Sequence, residues 1–267
     1  TQQTKGKRKV SSSKVNSRAR QDAESAISFL RGRGVERLVH FTSLENVPSI
    51  LKNGLIPREN LDALGAKYEA NDDIRLDGKG HINLSISHPN IPLFFKMRQR
   101  FSDRYYVVLS IDLEVLYDHA GEEGQKKYQF SNTNAASNYA SSCNIQQLFA
   151  GQRPEGYKDS WTTDPQAEVL IPGKIEPRYI NAIMFPLDCE EDEGRVRAIK
   201  SIERVIKKEN LPCKLVRNDA IFDDLRKKIA SASSGEKLEY YYLSWQANES
   251  AYNLLTSEIE NLPSKSF

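Results

Sequence analysis

Glu168 is the single acid of a short apolar run, QAEVLI, at residues 166–171. An alanine precedes it and three aliphatic residues follow, which is the pattern of a buried strand. Burying the charge of a carboxylate costs on the order of several kcal/mol unless hydrogen bonds or a counter-charge offset that cost. Glu168 therefore either faces solvent on an alternating strand or points into a site whose chemistry requires a carboxylate, with Val169 and Ile171 on the other face.

His40 and Thr42 form a second candidate pair, at the end of the stretch RLVHFT. Side chains two positions apart on a strand leave the same side of the backbone. An imidazole and a hydroxyl that point together into a cleft could hydrogen-bond a ribose or a carboxamide. The alternative is a structural histidine beside a residue that caps the following helix. The spacing is compatible with both interpretations.

Two polar loops hold further candidates. Arg75 lies among aspartates in NDDIRLDGKG, where an acid could hold its guanidinium for bidentate binding to a phosphate. An ion-paired surface arginine is the alternative. The loop FSNTNAAS, residues 130–137, is rich in small polar residues, and its Asn132 or Asn134 could contact a ligand or cap a helix.

The loop before Glu168, RPEGYKDSWTTDPQ, interleaves cations with aromatic residues. These residues are Arg153, Tyr157, Lys158 and Trp161. Such a mixture suits nucleic acid, because cations attract phosphates while aromatic rings stack on bases. As composition alone it indicates no particular ligand.

Strands and helices are predicted in mixed order around these candidates. Apolar alternation or short apolar runs predict strands at RLVHF, HINLSISHP, YYVVLSID, AEVLIPGKI, INAIMFP and CKLVR. Helical spacing predicts helices over 21–33, from Thr42 or Ser43 through Leu51 with a glycine stop, at NIPLFFKMRQRF, near 134–149, and over 194–209, 219–231 and 236–262. Residues 56–83 and most of 118–165 are expected to form loops. The pattern predicts an α+β core over 21–190, with a mostly helical part, 191–267, packed on it or completing it.

Composition excludes several classes of protein. The chain has 267 residues, of which 39% are hydrophobic and 28% charged, as in ordinary globular domains. No run approaches the roughly 18 apolar residues of a membrane span, and the start lacks the apolar stretch of a signal peptide. Cys143, Cys189 and Cys213 form no CxxC pair, which predicts neither a disulfide framework nor a zinc site and fits a cytoplasmic setting. The glycine-rich motifs of common nucleotide-binding folds are also missing.

The first 20 residues hold seven lysines or arginines and no acid, within a net charge of +2 for the chain. This segment is polar and lacks periodicity, so we expect a disordered arm. Basic arms contact nucleic acid by neutralising phosphates. A solvated tail or linker is the alternative, and the composition does not separate the two.

Taken in order, these clusters resemble the DarT-type family of nucleic-acid ADP-ribosyltransferases, the toxins of toxin–antitoxin pairs. The resemblance is carried by HFTSLENVPSILKNGL, DDIR, FSNTNAAS and QAEVLI, and it runs from about Leu38 to Pro186. The segment CKLVRNDAIFDDLRKKI is similar to the closing strand and helix of that family. The segment SISHPNIPLFFKMRQRF is more similar to the guanine-modifying branch than to the tyrosine-rich, thymidine-modifying one.

The resemblance implies an ADP-ribosyltransferase fold, a split and bent β core that binds NAD as co-substrate in its cleft and requires no metal. It implies that Glu168 is the catalytic glutamate and that Arg75 acts near the NAD phosphates and the reacting centre. The residues implied to bind NAD are His40, Phe41, Thr42, Asn46, Tyr68 and Arg75. Those implied to bind the acceptor are Arg153, Tyr157, Lys158 and Trp161 of the loop 150–167, together with Asn134.

The implied acceptor is a base of single-stranded DNA, with guanine favoured, and the implied partner is a macrodomain-type antitoxin in a toxin–antitoxin or phage-defence system away from membranes. RNA is an alternative acceptor, since nothing in the sequence reads a 2′-hydroxyl. A catalytically silent nucleic-acid-binding module and a protein-modifying transferase are two further hypotheses for the function.

Overall fold

The structure is a computed structural model that describes residues 17–63, 65, 80–121, 127–137, 139–186 and 192–223. Three residues singled out above, Tyr68, Arg75 and Cys189, lie outside the described residues, as does the helix expected over 236–262. Of the arm expected to be disordered, residues 17–20 form the first turn of a helix.

The described strands are β1 Leu38–Ser43, β2 His81–Ile86, β3 Tyr106–Ile111, β4 Gln129–Ser131, β5 Ser142–Cys143, β6 Glu168–Pro172, β7 Ile180–Phe185 and β8 Lys214–Arg217. The described helices are α1 Ser17–Gly32, α2 Val47–Asn53, α3 Arg58–Ala63, α4 Ile91–Arg100, α5 Val115–Asp118 and α6 Glu193–Lys208. Short 3-10 turns occupy Leu44–Asn46, Ile145–Phe149, Pro177–Tyr179 and Asp219–Phe222.

These strands form one sheet in the order β5-β4-β6-β2-β1-β3-β7-β8. Strand β1 pairs with β3 along its whole length, from Leu38 to Ser43. It pairs with β2 only at Leu38–Ile86 and Val39–Ser85. The two four-stranded halves therefore separate beyond Val39, which produces the split α+β core that the resemblance implies.

Helices cover both faces of the sheet. On one face α1, α2 and α6 pack on a cluster that includes Leu84, Leu109 and Val169. On the other face α4 packs, through Phe94 and its neighbours, on a second cluster. Because neighbouring residues of a strand point to opposite faces, Val108 belongs to the α4 cluster while Leu109 belongs to the other. Strand β8 pairs in parallel with β7, so residues beyond 191 contribute to the same sheet.

Local signals explain where several helices begin and end. Asn90 caps α4, since its Oδ1 accepts a hydrogen bond from the amide of Leu93 at 3.2 Å. Gly54 ends α2 with φ of 83°, as expected of a glycine stop. The predicted cap at Thr42 or Ser43 is wrong, because β1 continues through Ser43 and neither hydroxyl caps the turn that follows.

Two other predicted elements differ from the structure. A helix was expected near 134–149, but the chain forms β5 and then a 3-10 turn, Ile145–Phe149, which Asn144 and Gln147 cap reciprocally. A loop was expected over 56–83, yet α3 lies within it, whereas β2 begins at His81, where the predicted strand HINLSISHP begins. Helix α3 buries none of its residues, so it lacks the apolar periodicity from which helices are predicted.

Candidate active site

Glu168 opens strand β6 and is only 4% exposed. The register places Ser85 of β2 and Ser131 of β4 directly opposite it, and Val39 of β1 opposite Ser85. Directly opposed residues share a face of the sheet. Val39 packs with α4, so Glu168 projects to the α4 face, whereas Val169 packs in the cluster on the other face.

Among the described residues, Asn83 and the main chain of Ala135 are neutral donors to the carboxylate of Glu168. Its Oε2 accepts a hydrogen bond from the amide of Ala135 at 2.8 Å and another from Nδ2 of Asn83 at 3.0 Å. Hydrogen bonds to a charged group contribute about 1.5–3 kcal/mol each, which offsets part of the cost of burial. The acid of the apolar run is therefore a buried and oriented carboxylate.

His40 lies where β1 and β2 separate. Its Nδ1 is 3.0 Å from the main-chain carbonyl oxygen of Asn83. Because a carbonyl oxygen only accepts hydrogen bonds, Nδ1 carries the hydrogen, and in the neutral ring Nε2 is then an acceptor. Asn83 thus contacts His40 through its main chain and Glu168 through its side chain.

The other residues of the H-x-T segment are buried. Thr42 is 4% exposed, and its Oγ1 accepts a hydrogen bond from Nδ2 of Asn46 at 3.1 Å. The ring of Phe41 points to the α4 cluster, where it contacts Phe94 edge-to-face with centroids 5.2 Å apart. Thr42 therefore lies on the same side of β1 as His40, and Phe41 lies on the opposite side. NAD binding by these four residues stays a prediction.

The loop after β4 brings a main-chain amide to Glu168. Ser131 donates a hydrogen bond to the carbonyl oxygen of Thr133 at 2.8 Å, and Oδ1 of Asn134 accepts one from the amide of Ala136 at 2.9 Å. These bonds shape a turn in which the amide of Ala135 points at the carboxylate. Asn134 is half-buried in this turn, and its contact with the acceptor stays a prediction.

The loop before Glu168 is built around Arg153. Its Nη2 donates hydrogen bonds to the carbonyl oxygens of Lys158 and, at 2.8 Å, of Trp161. Trp161 is 3% exposed and contacts the ring of Tyr157 edge-to-face, with centroids 5.5 Å apart. Arg153 and Trp161 therefore support the loop itself, while Tyr157 and Lys158 are half-buried. Contact of these four residues with an acceptor stays a prediction.

Contacts to two neighbouring residues in the middle of this loop hold it beside the sheet. Nε of Arg33, just beyond α1, donates a hydrogen bond to the carbonyl oxygen of Asp159 at 3.0 Å. Oγ of Ser87, in the connection from β2 to α4, donates one to the carbonyl oxygen of Ser160 at 3.0 Å. Since the loop leads directly into Glu168, these contacts keep it at the edge where the carboxylate lies.

Sequence reasoning missed Asn83 and the amide of Ala135. Asn83 lies between two buried aliphatic residues of β2, an alternation that is usual for a strand with one solvated face. Only the pairing of β2 with β6 shows that this polar face meets Glu168. A main-chain donor such as that of Ala135 carries no signal in residue type at all.

The described residues also include two cysteines, but no cluster of metal ligands and no membrane-spanning helix. No group of three or more histidines, cysteines, aspartates or glutamates is placed to hold a metal within the described ranges. Burial raises the pKa of the Cys143 thiol, and raises that of Cys213 to about 12, so both thiols stay protonated near neutral pH. No described helix is long and apolar enough to span a bilayer.

A protein-family model described as "ssDNA thymidine ADP-ribosyltransferase, DarT" matches residues 39–211, which is more than half of the chain. No curated protein sequence matches this chain.

Solved structures that match this chain include "Thermosipho africanus DarTG in complex with ADP-ribose", at 18% sequence identity and a TM-score of 0.49, covering 70% of this chain and 51% of that one. This chain thus spans about half the length of the Thermosipho protein. "Thermus sp. 2.9 DarT in complex with carba-NAD+" is 12% identical with a TM-score of 0.47, covering 69% of this chain and 96% of that one. "Thermus sp. 2.9 DarT in complex with ADP-ribosylated ssDNA" is 11% identical with a TM-score of 0.47, covering 70% and 96% respectively.

Proposed function

The chain belongs to the DarT family of NAD-dependent ADP-ribosyltransferases that act on single-stranded DNA, and from this premise we propose that it attaches ADP-ribose to a guanine base. Glu168 is the catalytic carboxylate of this proposal. The observation that carries it is the buried position of Glu168, with Oε2 held by Asn83 and Ala135 beside the fork that contains His40.

The described residues of the proposed site offer hydrogen-bonding groups that suit the ribose attached to nicotinamide. A ribose offers hydroxyl groups, and two acceptors meet them at the fork from different faces of the sheet: the carboxylate of Glu168 from the α4 face, and Nε2 of a neutral His40, whose ring bridges the gap between β1 and β2, from the other. Thr42, on the same side of β1 as His40, adds a hydroxyl that Asn46 orients. Phe41, Tyr68 and Arg75 complete the proposed NAD site, the last as a ligand of the phosphates.

The reaction requires a carboxylate at this point. Breaking the bond between the nicotinamide nitrogen and the anomeric carbon leaves the electron pair on nicotinamide and develops positive charge on the ribose. A fixed carboxylate stabilises that charge where it forms. A nitrogen of the acceptor base then bonds to the anomeric carbon, and its proton passes to Glu168, which acts as general base. The products are nicotinamide and the ADP-ribosylated base.

The loop 150–167 is proposed to select the acceptor. It is anchored by Arg33 and Ser87 and leads into Glu168, so an acceptor at Glu168 meets this loop. Tyr157 and Lys158 are its proposed stacking and phosphate-binding residues, with Arg153 and Trp161 supporting them, and Asn134, in the turn after β4, is a further proposed contact of the acceptor. An unstacked base of a single strand reaches such a site without duplex opening.

Guanine and thymine are the two candidate bases. The proposal of guanine rests on the resemblance of SISHPNIPLFFKMRQRF to the guanine-modifying branch. Thymine is favoured by the description of the matching family model. We further propose that the protein acts in the cytoplasm as the toxin of a toxin–antitoxin pair with a macrodomain-type antitoxin, in a setting such as phage defence.

Mass spectrometry of oligonucleotides incubated with NAD tests the proposal directly. Matched DNA and RNA strands, each with a single kind of target base, are compared for wild type and Glu168→Gln. We expect an ADP-ribosyl mass gain on guanine-containing DNA, and a loss of at least about 100-fold in Glu168→Gln, since removing one transition-state charge partner costs that much.

A mass gain only on thymine, or only on RNA, would replace the proposed acceptor but leave the transferase activity intact. Wild-type modification in a folded Glu168→Gln variant would contradict the mechanism. DNA binding without any NAD turnover would favour the silent binding module.

A further inference from the structure

Helix α4 presents an outer face that is both cationic and aromatic. Its inner residues Ile91, Phe94 and Met97 are buried against the sheet. The outer face consists of the exposed residues Phe95, Lys96, Arg98, Gln99 and Arg100. The half-buried Arg104 follows shortly after, and over residues 95–104 the only acid is Asp103.

The beginning of α4 lies beside the catalytic carboxylate. The main-chain amide of Asn90, which caps α4, donates a hydrogen bond to Oγ of Ser85 at 3.1 Å. Ser85 is the residue of β2 directly opposite Glu168, and both side chains project to the face that α4 covers. The connection before α4 also holds the loop 150–167 through Ser87 and Ser160. The N-terminal end of the helix therefore lies at the edge of the site.

Two of the cations on the outer face are not neutralised by described residues. Lys96 and Arg98 form no ion pair within the described part of the chain, and Arg98 instead lies over the ring of Phe94 at 5.7 Å. Phe95 adds an exposed aromatic ring to the charges of this face. Phe95 is 39% exposed, and the other large hydrophobic residue exposed in the described chain is Tyr139.

We propose that the outer face of α4 binds the single strand that flanks the acceptor base. Lys96 and Arg98 contact phosphates, and the ring of Phe95 stacks on a base, a combination that binds single strands without sequence preference. A helix rises about 1.5 Å per residue, so Lys96 and Arg98 lie about 9 and 12 Å along the axis from Asn90. The strand must therefore extend beyond the acceptor base for its phosphates to reach Lys96 and Arg98.

This inference rests on the proposed function. A comparison of short and long DNA strands distinguishes a failure of the proposed surface from a failure of the proposed function. Fluorescence anisotropy with DNA strands of about 4 and about 16 nucleotides, the range of single-strand site sizes, is measured at several salt concentrations. ADP-ribosylation of the short strand is followed in parallel. The variants are Lys96→Glu with Arg98→Glu, and Phe95→Ala.

The matched control reverses two charges on the opposite side of the molecule. Lys200 and Arg204 are exposed on α6, which packs on the other face of the sheet through Ile202. The double variant Lys200→Glu with Arg204→Glu has the same change in net charge.

We expect the α4 double variant to bind the long strand at least tenfold more weakly, with a salt slope smaller by about 1.4, since each phosphate contact contributes about 0.7. Binding and modification of the short strand stay at the wild-type level, as does long-strand binding by the α6 control. Phe95→Ala weakens long-strand binding at least about fivefold without changing the salt slope.

Three outcomes would each overturn the assignment while leaving the transferase function in place. These are equal losses of binding affinity in the α4 and α6 variants, equal losses for both strand lengths, and wild-type binding of the long strand by the α4 variant. Failure of the wild type to modify any strand would instead overturn the proposed function, and with it this surface. Loss of antitoxin neutralisation with unchanged DNA binding would assign the face to a protein partner and refute the proposal.

Discussion

Nδ2 of Asn83 donates a hydrogen bond to Oε2 of Glu168 across 3.0 Å, although the two residues are 85 positions apart in the chain. The carbonyl oxygen of Asn83 also accepts the hydrogen of His40 Nδ1. Asn83, which lies where β1 and β2 separate, therefore orients both the carboxylate of Glu168 and the imidazole of His40.

Replacing Asn83 with leucine removes this donor but keeps the branched shape and the number of side-chain heavy atoms. A lost hydrogen bond to a charged group costs about 1.5–3 kcal/mol, so we expect kcat to fall about 10- to 100-fold. The KM for NAD should change much less, because orientation of the carboxylate matters most when charge develops. Steady-state kinetics of nicotinamide release provide the measurement. Asn181→Leu, at a half-buried position of β7, is the control, and equal effects in both variants would show that the loss is one of folding.

Asn83→Asp separates orientation from packing through its pH profile. At low pH the introduced acid is protonated and can donate to Glu168 as the amide does. As pH rises both carboxyl groups ionise and repel each other at hydrogen-bond distance. Activity relative to wild type should therefore decrease as pH increases. A pH-independent ratio would mean that Asn83 does not act on the carboxylate.

Arg153→Lys tests whether this residue supports the loop or contacts the acceptor. Lysine keeps the charge, but its flexible ammonium lacks the planar, fixed geometry with which the guanidinium donates to the two carbonyl oxygens. We expect the free energy of unfolding to fall by about 1–3 kcal/mol in urea titrations. Arg197→Lys, on the exposed surface of α6, should change it by less than about 0.5 kcal/mol. Unchanged stability with weaker DNA binding would indicate a phosphate contact instead.

Because His119, just after α5, is partly buried, we expect the protein to lose stability in mild acid. Desolvation lowers the pKa of His119 below its ordinary value of 6.5, against the opposing effect of hydrogen bonds to the main chain of Pro172 and Lys174 and of the charge of Asp118. The unfolded chain then binds a proton more readily than the folded one, so stability falls as pH decreases through about 6.5 and below.

His119→Gln should show a flatter dependence of the unfolding free energy on pH between about 7 and 5, as measured by urea titration at each pH. A wild-type slope in His119→Gln would mean that another group is responsible.

Gly54→Ala should destabilise the protein severely. Gly54 has φ of 83°, and a Cβ atom there would lie 2.3 Å from the carbonyl oxygen of Ile175, which is main chain and cannot move aside. We expect a loss of at least about 2 kcal/mol in unfolding free energy. Gly32→Ala in α1, where no atom lies within 4 Å of the added Cβ, should be neutral or stabilising by up to about 1 kcal/mol. Similar thermal unfolding of both variants would contradict this account.

Several elements could be predicted because their signals are local. The apolar alternation of β2, the continuous apolar run of β3 and the glycine after α2 each lie within a few residues of the feature that they specify. The exposed helix α3 and the short strands β4 and β5 could not, since they have few residues and little apolar periodicity. Their form depends on neighbours that are distant in sequence.

The sequence alone established the chemical character of the site: a carboxylate in an apolar run, a histidine and a threonine two apart, and the ordered motifs that resemble one enzyme family. Only the tertiary structure decided which groups meet. Strand pairing brings Asn83 and the amide of Ala135, 85 and 33 positions away, to the same oxygen of Glu168. The tertiary structure also decided that Arg153 and Trp161 support their own loop. The buried carbonyl groups of a loop that is held in one conformation need hydrogen-bond donors, and the guanidinium of Arg153 supplies them.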